Sequence, residues 1–316
     1  MRAVRNDEAG LHVVERPEPE GEGTLIDIAS CGICGTDLGY LAMGPLPFTL
    51  GHEFAGYVDG VPYAVEPLTR CGQCVDCLNG NDNRCSSPSV TRYGNFFDGA
   101  LAERLLVADY CLTPLPAGLS IDDASLVETM AVAYRGVRLA AAQPGEQLCV
   151  LGGGAIGLAA VGVARHKGLE VDLEARHPHQ RAVGERLGAG SVAADAQNRY
   201  DVVIEAAGSE SGLARAFELV RPGGRVVLLG VYHGLVPLPG IPMIVKEATV
   251  MASMAYAVDP AGGREYANAA AVLAANPEIA RALITHRFAL ADAAEAFRVA
   301  ADRASGSIKV VIHPNQ

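Results

Sequence analysis

Gly152, Gly154 and Gly157 form a G-x-G-x-x-G pattern, and its place in the chain restricts the fold around it. The apolar run 147–151 before it predicts a buried strand, and the pattern of 155–167 after it predicts a helix. In that context the first glycine permits a tight turn, the second lets a pyrophosphate approach, and the third allows close packing of helix on sheet. The first helical residues, Ala155 and Ile156, present amides at the positive end of the helix. The segment predicts a strand–loop–helix unit that binds a dinucleotide.

The same alternation of strands and helices continues downstream of the glycines. Strands alternating with helices imply a parallel, doubly wound Rossmann sheet, so the predicted fold class is α/β. The predicted strands are 147–151, 170–173, 201–205 and 225–229, the helices are 155–167, 181–187 and 212–220, and Pro222-Gly223-Gly224 is a turn. Helical patterns also cover 122–142 and 263–282, and 308–312 predicts a last strand.

The first hundred residues have a different sequence pattern. Short apolar runs at 24–29, 54–58 and 100–107 are separated by Gly, Pro and Asn. This pattern of short apolar runs predicts an irregular, mainly antiparallel β region with long functional loops.

Charge and hydropathy exclude several classes of function. Lys and Arg number 25 and Asp and Glu 36, and the resulting charge of −11 repels phosphate backbones, so we expect no nucleic-acid partner. Residues 1–25 lack the apolar core of a signal peptide, and glycines interrupt the apolar stretch 148–164, which is shorter than the ~20 residues of a membrane-spanning helix. We expect a cytoplasmic protein without a membrane contact. In that reducing setting, closely spaced cysteines indicate metal binding or catalysis rather than disulfides.

Four of the 8 cysteines form a C-x2-C-x2-C-x7-C pattern inside a loop rich in Gly and Asn: Cys71, Cys74, Cys77 and Cys85. Four thiolates at this spacing can surround one Zn²⁺. Disulfides, coincidence and an iron–sulfur cluster are the other interpretations. Because the protein would occupy all four coordination positions, the predicted site is structural and not catalytic.

A second group could hold an open metal site. Cys34 lies in C-G-I-C-G-T-D, His52 lies in G-H-E, and Glu128 lies in the apolar run 126–133. One thiolate, one imidazole and one carboxylate would leave a coordination position for water or substrate. Taken in isolation, Cys34 is more often a buried apolar side chain than a ligand, and His52 is more often a core histidine. Glu128 is harder to dismiss as a functional residue, because a buried carboxylate needs a cation or hydrogen-bond donors.

Taken in order, C-G-I-C-G-T-D, G-H-E, the four-cysteine loop and the Gly-rich βαβ unit resemble the zinc-dependent medium-chain dehydrogenase family, which includes alcohol, polyol, sugar and threonine dehydrogenases. The resemblance covers essentially the whole chain and extends to 284–288 and 307–311. It implies a Rossmann domain, 131–254, inserted into a mainly β, GroES-like catalytic domain formed by 1–130 and 255–316. It also implies a homodimer or homotetramer.

The resemblance implies that Cys34 and His52 are ligands of a catalytic zinc. Glu128 falls at the position of the third ligand, where a carboxylate is more typical of the polyol, sugar and threonine branch. The same match implies that Cys31 is not a ligand, so Cys31, Cys111 and Cys149 remain as buried thiols.

Three neighbours of these ligands also match the family. The match implies that Thr36 relays the substrate proton, that Asp37 accepts the other ring N–H of His52, and that Glu53 is able to approach the metal. Many relatives have a His soon after the Thr/Ser-Asp pair, whereas Leu38-Gly39-Tyr40 follows here, which leaves the proton exit route open. The connections on both sides of His52 are shorter than in typical relatives, which indicates trimmed hairpins and a more open cleft.

The end of the second Rossmann strand bears on the choice of cofactor. The family frame puts Ala175 where an acidic residue binds the ribose 2′-hydroxyl of NAD, and Arg176 follows it. A missing carboxylate and a new cation favour NADP(H) over NAD(H), and Arg181 could assist. Glu174 is one residue early and would point to the other face of the strand. A solvated surface charge is the other interpretation of Arg176.

We predict a zinc-dependent dehydrogenase with two zinc ions per chain. It would transfer a hydride between NADP(H) or NAD(H) and a secondary alcohol of a polyol-like or sugar-like small molecule.

Lys309 matches a basic residue that reaches the cofactor pyrophosphate in relatives, although a lone lysine could equally lie on the surface. A zinc-free enone or quinone reductase on the same scaffold, with one zinc, and a non-catalytic NADP-binding sensor are the alternative functions.

Overall fold

The computed structural model describes residues 1–316, apart from the side chain of residue 303. The chain divides into two compact units. The first unit comprises Met1–Glu128 and Ala257–Gln316, and the second comprises Thr129–Tyr256.

The elements are numbered in chain order. The strands are β1 (Arg2–Asp7), β2 (Gly10–Glu15), β3 (Thr24–Ile33), β4 (Glu53–Val58), β5 (Val61–Val65), β6 (Arg104–Val107), β7 (Leu112–Pro114), β8 (Leu148–Leu151), β9 (Val171–Glu174), β10 (Gly190–Ser191), β11 (Tyr200–Glu205), β12 (Val220–Leu228), β13 (Thr249–Ala252), β14 (Ile284–Ala289) and β15 (Lys309–His313). The α-helices are α1 (Gly35–Leu41), α2 (Val75–Leu78), α3 (Leu126–Ala140), α4 (Ala155–His166), α5 (Pro178–Arg186), α6 (Glu210–Leu219), α7 (Gly240–Lys246), α8 (Glu265–Ala275), α9 (Pro277–Leu283) and α10 (Ala293–Ala301).

The first unit is built on a mainly antiparallel sheet, which confirms the expected β region. Its strand order is β14-β15-β3-β4-β5-β7, with β6 paired to β3, and β14–β15 is the one parallel pair among the described strands of this sheet. Ile26 and Ile28 of β3 are fully buried while Leu25 is exposed, which is the alternation of a strand with one face on a core. The β3–β4 register sets Glu53 opposite Gly32.

The second unit contains the predicted doubly wound sheet, with strand order β10-β9-β8-β11-β12-β13 and parallel pairing throughout. All four residues of β8 are buried, as expected for a strand covered on both faces. The strand order reverses between β8 and β11. In open α/β sheets such a reversal opens the crevice in which ligands bind, at the carboxyl ends of the strands.

Two of the predicted elements are wrong in detail. The helix expected over 263–282 is two helices, α8 and α9, because Pro277 lacks the N–H needed to continue a helix and is suited to the first position of a new one. Pro222-Gly223-Gly224 is not a separate turn but an insertion within β12. The pairing register jumps there from Tyr200 opposite Val220 to Val202 opposite Arg225.

None of the helices in the described part of the chain is both long enough and apolar enough to cross a lipid bilayer.

Candidate active site

Cys34, His52 and Glu53 converge at the junction of β3 and β4. One ligand atom of each lies within 4.8 Å of the ligand atoms of the other two. Cys34 follows β3 directly and forms the N-cap of α1, and Glu53 begins β4 beside the end of β3. The antiparallel pairing of two strands therefore assembles this group.

Asp37 orients the histidine of the group. It is fully buried, its Oδ2 accepts the backbone N–H of Cys34 at 2.8 Å, and its Oδ1 lies 3.4 Å from Nδ1 of His52. Burial by itself lowers the pKa of His52, but the charges of Asp37 and Cys34 outweigh it and hold the pKa well above its usual value. An imidazole whose Nδ1 faces a carboxylate leaves Nε2 for a metal. Thr36 lies in the same turn, with Oγ1 3.8 Å from Sγ of Cys34.

Lys309 joins this group from β15. Its ammonium donates to both carboxylate oxygens of Glu53 at 2.7 and 2.5 Å and contacts the carbonyl of Ile33 at 3.3 Å. Burial by itself lowers the pKa of Lys309, but Glu53 and Cys34 raise it above its usual value, so the side chain stays charged. Lys309 is 3% exposed, so its interpretation as a surface charge is wrong.

Glu128 lies nearby in the first turn of α3, but it is not among the three side chains that converge within 4.8 Å. It is 8% exposed. Burial and the charge of Glu53 raise the pKa of Glu128 to about 7, against the opposing effects of His52 and Lys309. A bound cation would favour the charged form of such a carboxyl group.

The donor set of this region fits a zinc ion. Thiolate, imidazole and carboxylate are the ligands that zinc prefers, and catalytic sites use three of them with one position left open. Oδ1 of Asp37 and Nδ1 of His52 are buried without a well-aligned hydrogen bond in the described part of the chain. An ion bound to the other ring nitrogen would strengthen the attraction between these two atoms.

The four-cysteine loop forms a second cluster in the same unit. Sγ of Cys71 lies 3.5 Å from that of Cys85 and 3.9 Å from that of Cys77, and Sγ of Cys74 lies 3.8 Å from that of Cys85. These distances are far longer than an S–S bond of about 2.05 Å, and all four residues are free thiols, so the disulfide interpretation is wrong. Backbone N–H groups of Gln73 and Cys74 lower the pKa of Cys71 to about 6, which favours the thiolate that a metal needs.

A charge cluster that the sequence did not indicate holds this loop against the rest of its unit. Arg264 donates to both oxygens of Glu66 at 2.5 and 2.6 Å and to Asp82 at 2.7 Å. Arg70 lies 3.3 Å from Asp82 and stacks on the ring of Tyr110. Arg70 precedes the first cysteine and Asp82 lies three residues before the last, so both ends of the loop are fixed. The partners are up to 198 positions apart in the chain, so no local pattern reveals them.

The glycine loop of the second unit has the geometry of a dinucleotide site. Gly152 adopts φ +112° after β8, and a Cβ there would lie 2.7 Å from the amide nitrogen of Ala207. A Cβ on Gly157 would lie 1.9 Å from the carbonyl oxygen of Gly152. A Cβ on Gly154 would meet nothing within 4 Å, so open space remains where a pyrophosphate is expected. Ala155 and Ile156 form the first turn of α4.

A cavity of about 310 Å³ lies beside the end of β9 and is lined by Glu174, Ala175, Arg181 and Arg215, among others. Glu174 is bound to Arg215 at 3.1 Å, a contact that the sequence did not indicate. The guanidinium of Arg181 donates to the carbonyls of Ala175 at 2.9 Å and Arg176 at 3.0 Å. Arg181 and Arg215 are thus the arginines of the cavity wall, while Arg176 is exposed and is not among the lining residues.

A Rossmann unit with an open phosphate loop, and a β unit with a thiolate–imidazole–carboxylate group, together define the class of metal-dependent dehydrogenases.

Comparison with known proteins agrees with this class. The family described as "Alcohol dehydrogenase GroES-like domain" matches residues 20–117, and "Glucose dehydrogenase C-terminus" matches residues 117–313. L-galactonate-5-dehydrogenase of Escherichia coli K12 is 32% identical in sequence to this chain, and the alignment covers 90% of this chain and 89% of the relative. The crystal structure of galactitol-1-phosphate dehydrogenase from Escherichia coli is 28% identical, with a TM-score of 0.88 over 99% of this chain and 100% of its own. A Sinorhizobium meliloti structure with bound NADP is 29% identical, with a TM-score of 0.85 and 99% coverage of both chains.

The chain belongs to the zinc-type medium-chain dehydrogenase family. It is an NAD(P)-linked oxidoreductase, as the sequence predicted.

Proposed function

We propose that this dehydrogenase oxidises, reversibly, a secondary hydroxyl group of a polyol or sugar-like small molecule to the ketone. The observation that carries the proposal is the convergence of Cys34, His52 and Glu53 beside the buried carboxyl group of Glu128. The named relatives act on galactonate and on galactitol 1-phosphate, both of them polyhydroxylated carbon chains.

In this proposal Cys34, His52 and Glu128 hold the catalytic zinc. When bound, that ion polarises the substrate oxygen and lowers the pKa of the hydroxyl group. Asp37 keeps the imidazole of His52 in one orientation through the 3.4 Å contact to Nδ1. The hydroxyl group of Thr36, next to Cys34, would relay the substrate proton by accepting a hydrogen bond from the substrate and releasing its own proton toward solvent. Glu53, held by Lys309, contributes negative charge beside these ligands.

The two units have separate tasks in the proposed reaction. We assign Met1–Glu128 and Ala257–Gln316 as the catalytic domain, and Thr129–Tyr256 as the dinucleotide-binding domain. The dinucleotide-binding domain would orient a cofactor whose nicotinamide ring supplies or accepts the hydride. We assign Cys71, Cys74, Cys77 and Cys85 as the ligands of a second, structural zinc.

We infer a preference for NADP(H) over NAD(H) from the cavity at the end of β9. Ala175 offers no carboxylate to a ribose 2′-hydroxyl, and Arg215 engages the nearest acid, Glu174. Arg181 is anchored by two carbonyls on the cavity wall, where a 2′-phosphate would find a cation. We expect Arg181→Ala to lower kcat/KM for NADP about tenfold and to leave that for NAD within twofold, whereas Arg186→Ala in the last turn of α5 should change neither. An equal loss with both cofactors would contradict the preference.

We also propose a homodimer or homotetramer in a reducing, cytoplasmic compartment. All eight cysteines are free thiols, as is typical of such a compartment. Strand β13 is the edge of its sheet, and neighbouring Ile241, Ile244 and Val245 of α7 are 78%, 72% and 75% exposed. Exposed apolar side chains and an unpaired strand edge are each typical of an association surface. Sedimentation should show a dimer or larger species, and a monomer at micromolar concentration would contradict the proposal.

Metal analysis and one pair of variants test the catalytic assignment. We expect about two zinc ions per chain in the native enzyme, and turnover with at least one member of a panel of polyols, sugar acids and simple secondary alcohols. Cys34→Ser should abolish turnover while leaving NADPH binding intact, because the cofactor loop lies in the other unit. Cys111→Ser, a change to a buried thiol of the same unit, is the matched control and should retain turnover. Full activity of the Cys34 variant would refute the assignment.

A further inference from the structure

Glu205 is a buried carboxylate at the functional edge of the Rossmann sheet, and the proposed function gives it no role. It is the last residue of β11 and is 0% exposed. In the sheet register it lies opposite Leu151, which precedes the phosphate loop, and opposite Leu228 at the end of β12. Glu205 therefore stands between the carboxyl ends of two strands from which ligand-binding loops emerge.

The carboxylate joins the loops that follow β11 and β12. It accepts the backbone N–H groups of Ala207 at 2.8 Å and Gly208 at 3.0 Å, both in the loop after β11. It also accepts the hydroxyl group of Tyr232 at 2.5 Å, in the loop after β12. An ionised carboxylate is an acceptor with no proton to donate, so it can satisfy three converging donors at once.

These loops pack against each other and against the phosphate loop without spare space. A Cβ on Gly208 would lie 2.6 Å from the carbonyl oxygen of Val231, and a Cβ on Gly230 would lie 2.3 Å from the amide nitrogen of Gly208. On the other side, Gly152 of the phosphate loop abuts Ala207. The backbone N–H groups of Leu229 and Gly230 tie the start of the loop after β12 to the carbonyl of Glu205 at 2.8 and 3.0 Å. Farther along this loop, Tyr232 makes its one side-chain bond to the carboxylate among the described contacts.

The strand order shows which half of the dinucleotide these loops face. In a doubly wound sheet the pyrophosphate lies at the first βα turn, and the adenosine ribose lies at the end of the second strand, here β8 and β9. The dinucleotide crosses the reversal point of the sheet, so its other half extends over the ends of β11 and β12. Glu205 and Tyr232 lie on that nicotinamide side.

We propose that the Glu205–Tyr232 pair is a positioning pair for the nicotinamide half of the cofactor. By fixing the loop after β12 against the loop after β11, it keeps the binding surface for that half formed before the cofactor arrives. The adenosine half, bound at β8 and β9, does not depend on it. This inference rests on the dinucleotide site of the proposed function.

The test compares an intact cofactor with its adenosine fragment in the full-length protein. NADPH and adenosine 2′,5′-bisphosphate are titrated by calorimetry into wild type and Tyr232→Phe, with NADH and AMP as the second pair. We expect Tyr232→Phe to raise the Kd of NADPH about tenfold, which corresponds to ~1.4 kcal/mol, and to leave the Kd of the bisphosphate within twofold.

Tyr200→Phe is the matched control for a general loss of stability. Its hydroxyl group donates to Asp172 at 2.7 Å in the same sheet, but from the first residue of β11, at the opposite edge. We expect this variant to lower the melting temperature to a similar degree while both dissociation constants stay unchanged.

The rescue variant is Glu205→Gln, whose oxygen can still accept the two amides and whose amide group can donate to Tyr232. It should bind NADPH within about threefold of wild type, whereas Glu205→Ala should be at least as weak as Tyr232→Phe. Equal weakening of NADPH and the bisphosphate by Tyr232→Phe, or no weakening of either, would overturn the positioning role. A wild-type protein that bound none of the four ligands would instead overturn the dinucleotide site of the proposed function.

Discussion

Replacing Lys309 by Met should strongly destabilise the protein, because it removes the cation from a buried ion pair. Glu53 is 2% exposed, and Lys309 donates to both of its carboxylate oxygens. Truncating one member of a buried pair leaves an uncompensated charge, which costs about 3–5 kcal/mol. For a unit of this size each kcal/mol shifts Tm by about 2–4 °C, so we expect a fall of about 6–20 °C.

The assay is thermal and urea unfolding followed by circular dichroism, with two companion variants. Lys309→Met/Glu53→Gln removes both charges and should recover at least half of the loss, since no ionised group is then left alone. Arg298→Met breaks the exposed pair with Glu295, whose side chains are 65% and 50% accessible, and should change stability far less. If Lys309→Met shifted Tm no more than Arg298→Met, or if the double variant were no more stable than the single one, the buried pair would not contribute as argued.

Three further outcomes follow from the same contacts. Gly157→Ala should weaken NADPH binding more than tenfold and lower Tm, because its Cβ would lie 1.9 Å from the carbonyl oxygen of Gly152. Gly154→Ala has open space around its Cβ, so it should weaken NADPH binding without lowering Tm. Calorimetry together with melting curves would distinguish the two variants. Cys71→Ser should reduce the zinc content from about two ions per chain to one and lower Tm, as measured by atomic absorption and thermal unfolding. In chelator-treated protein, the raised pKa of Glu128, about 7, means that the folded state holds a proton that the unfolded state releases near pH 4.5. Stability should therefore decline as pH rises from about 4.5 through 7, and Glu128→Gln should flatten that part of the urea-unfolding profile; a wild-type profile that is already flat there would refute the assignment.

The Rossmann elements could be predicted from the sequence because their signals are local. Apolar runs of strand length, helical periodicity and the glycine pattern each occupy a few consecutive residues, and the parallel sheet followed from their alternation. In the other unit, the predicted helix over 263–282 was wrong because one residue, Pro277, overrides the periodic pattern between α8 and α9. The insertion in β12 was missed for a related reason, since Pro222-Gly223-Gly224 reads as a turn although β11 continues to pair on both sides of it.

The sequence by itself determined which chemical groups this protein has available: four clustered thiolates, a Cys, His and Glu set, and a phosphate loop. Only the tertiary structure decided which partner each buried or half-buried charged side chain has. Lys309 faces Glu53 across 256 positions of chain, Glu174 is bound by Arg215, and Glu205 joins two loops through Tyr232. A buried charge must find a counter-charge or donors wherever the fold brings one within reach. That partner is set by strand register and by the crossing of loops, which no spacing along the chain encodes.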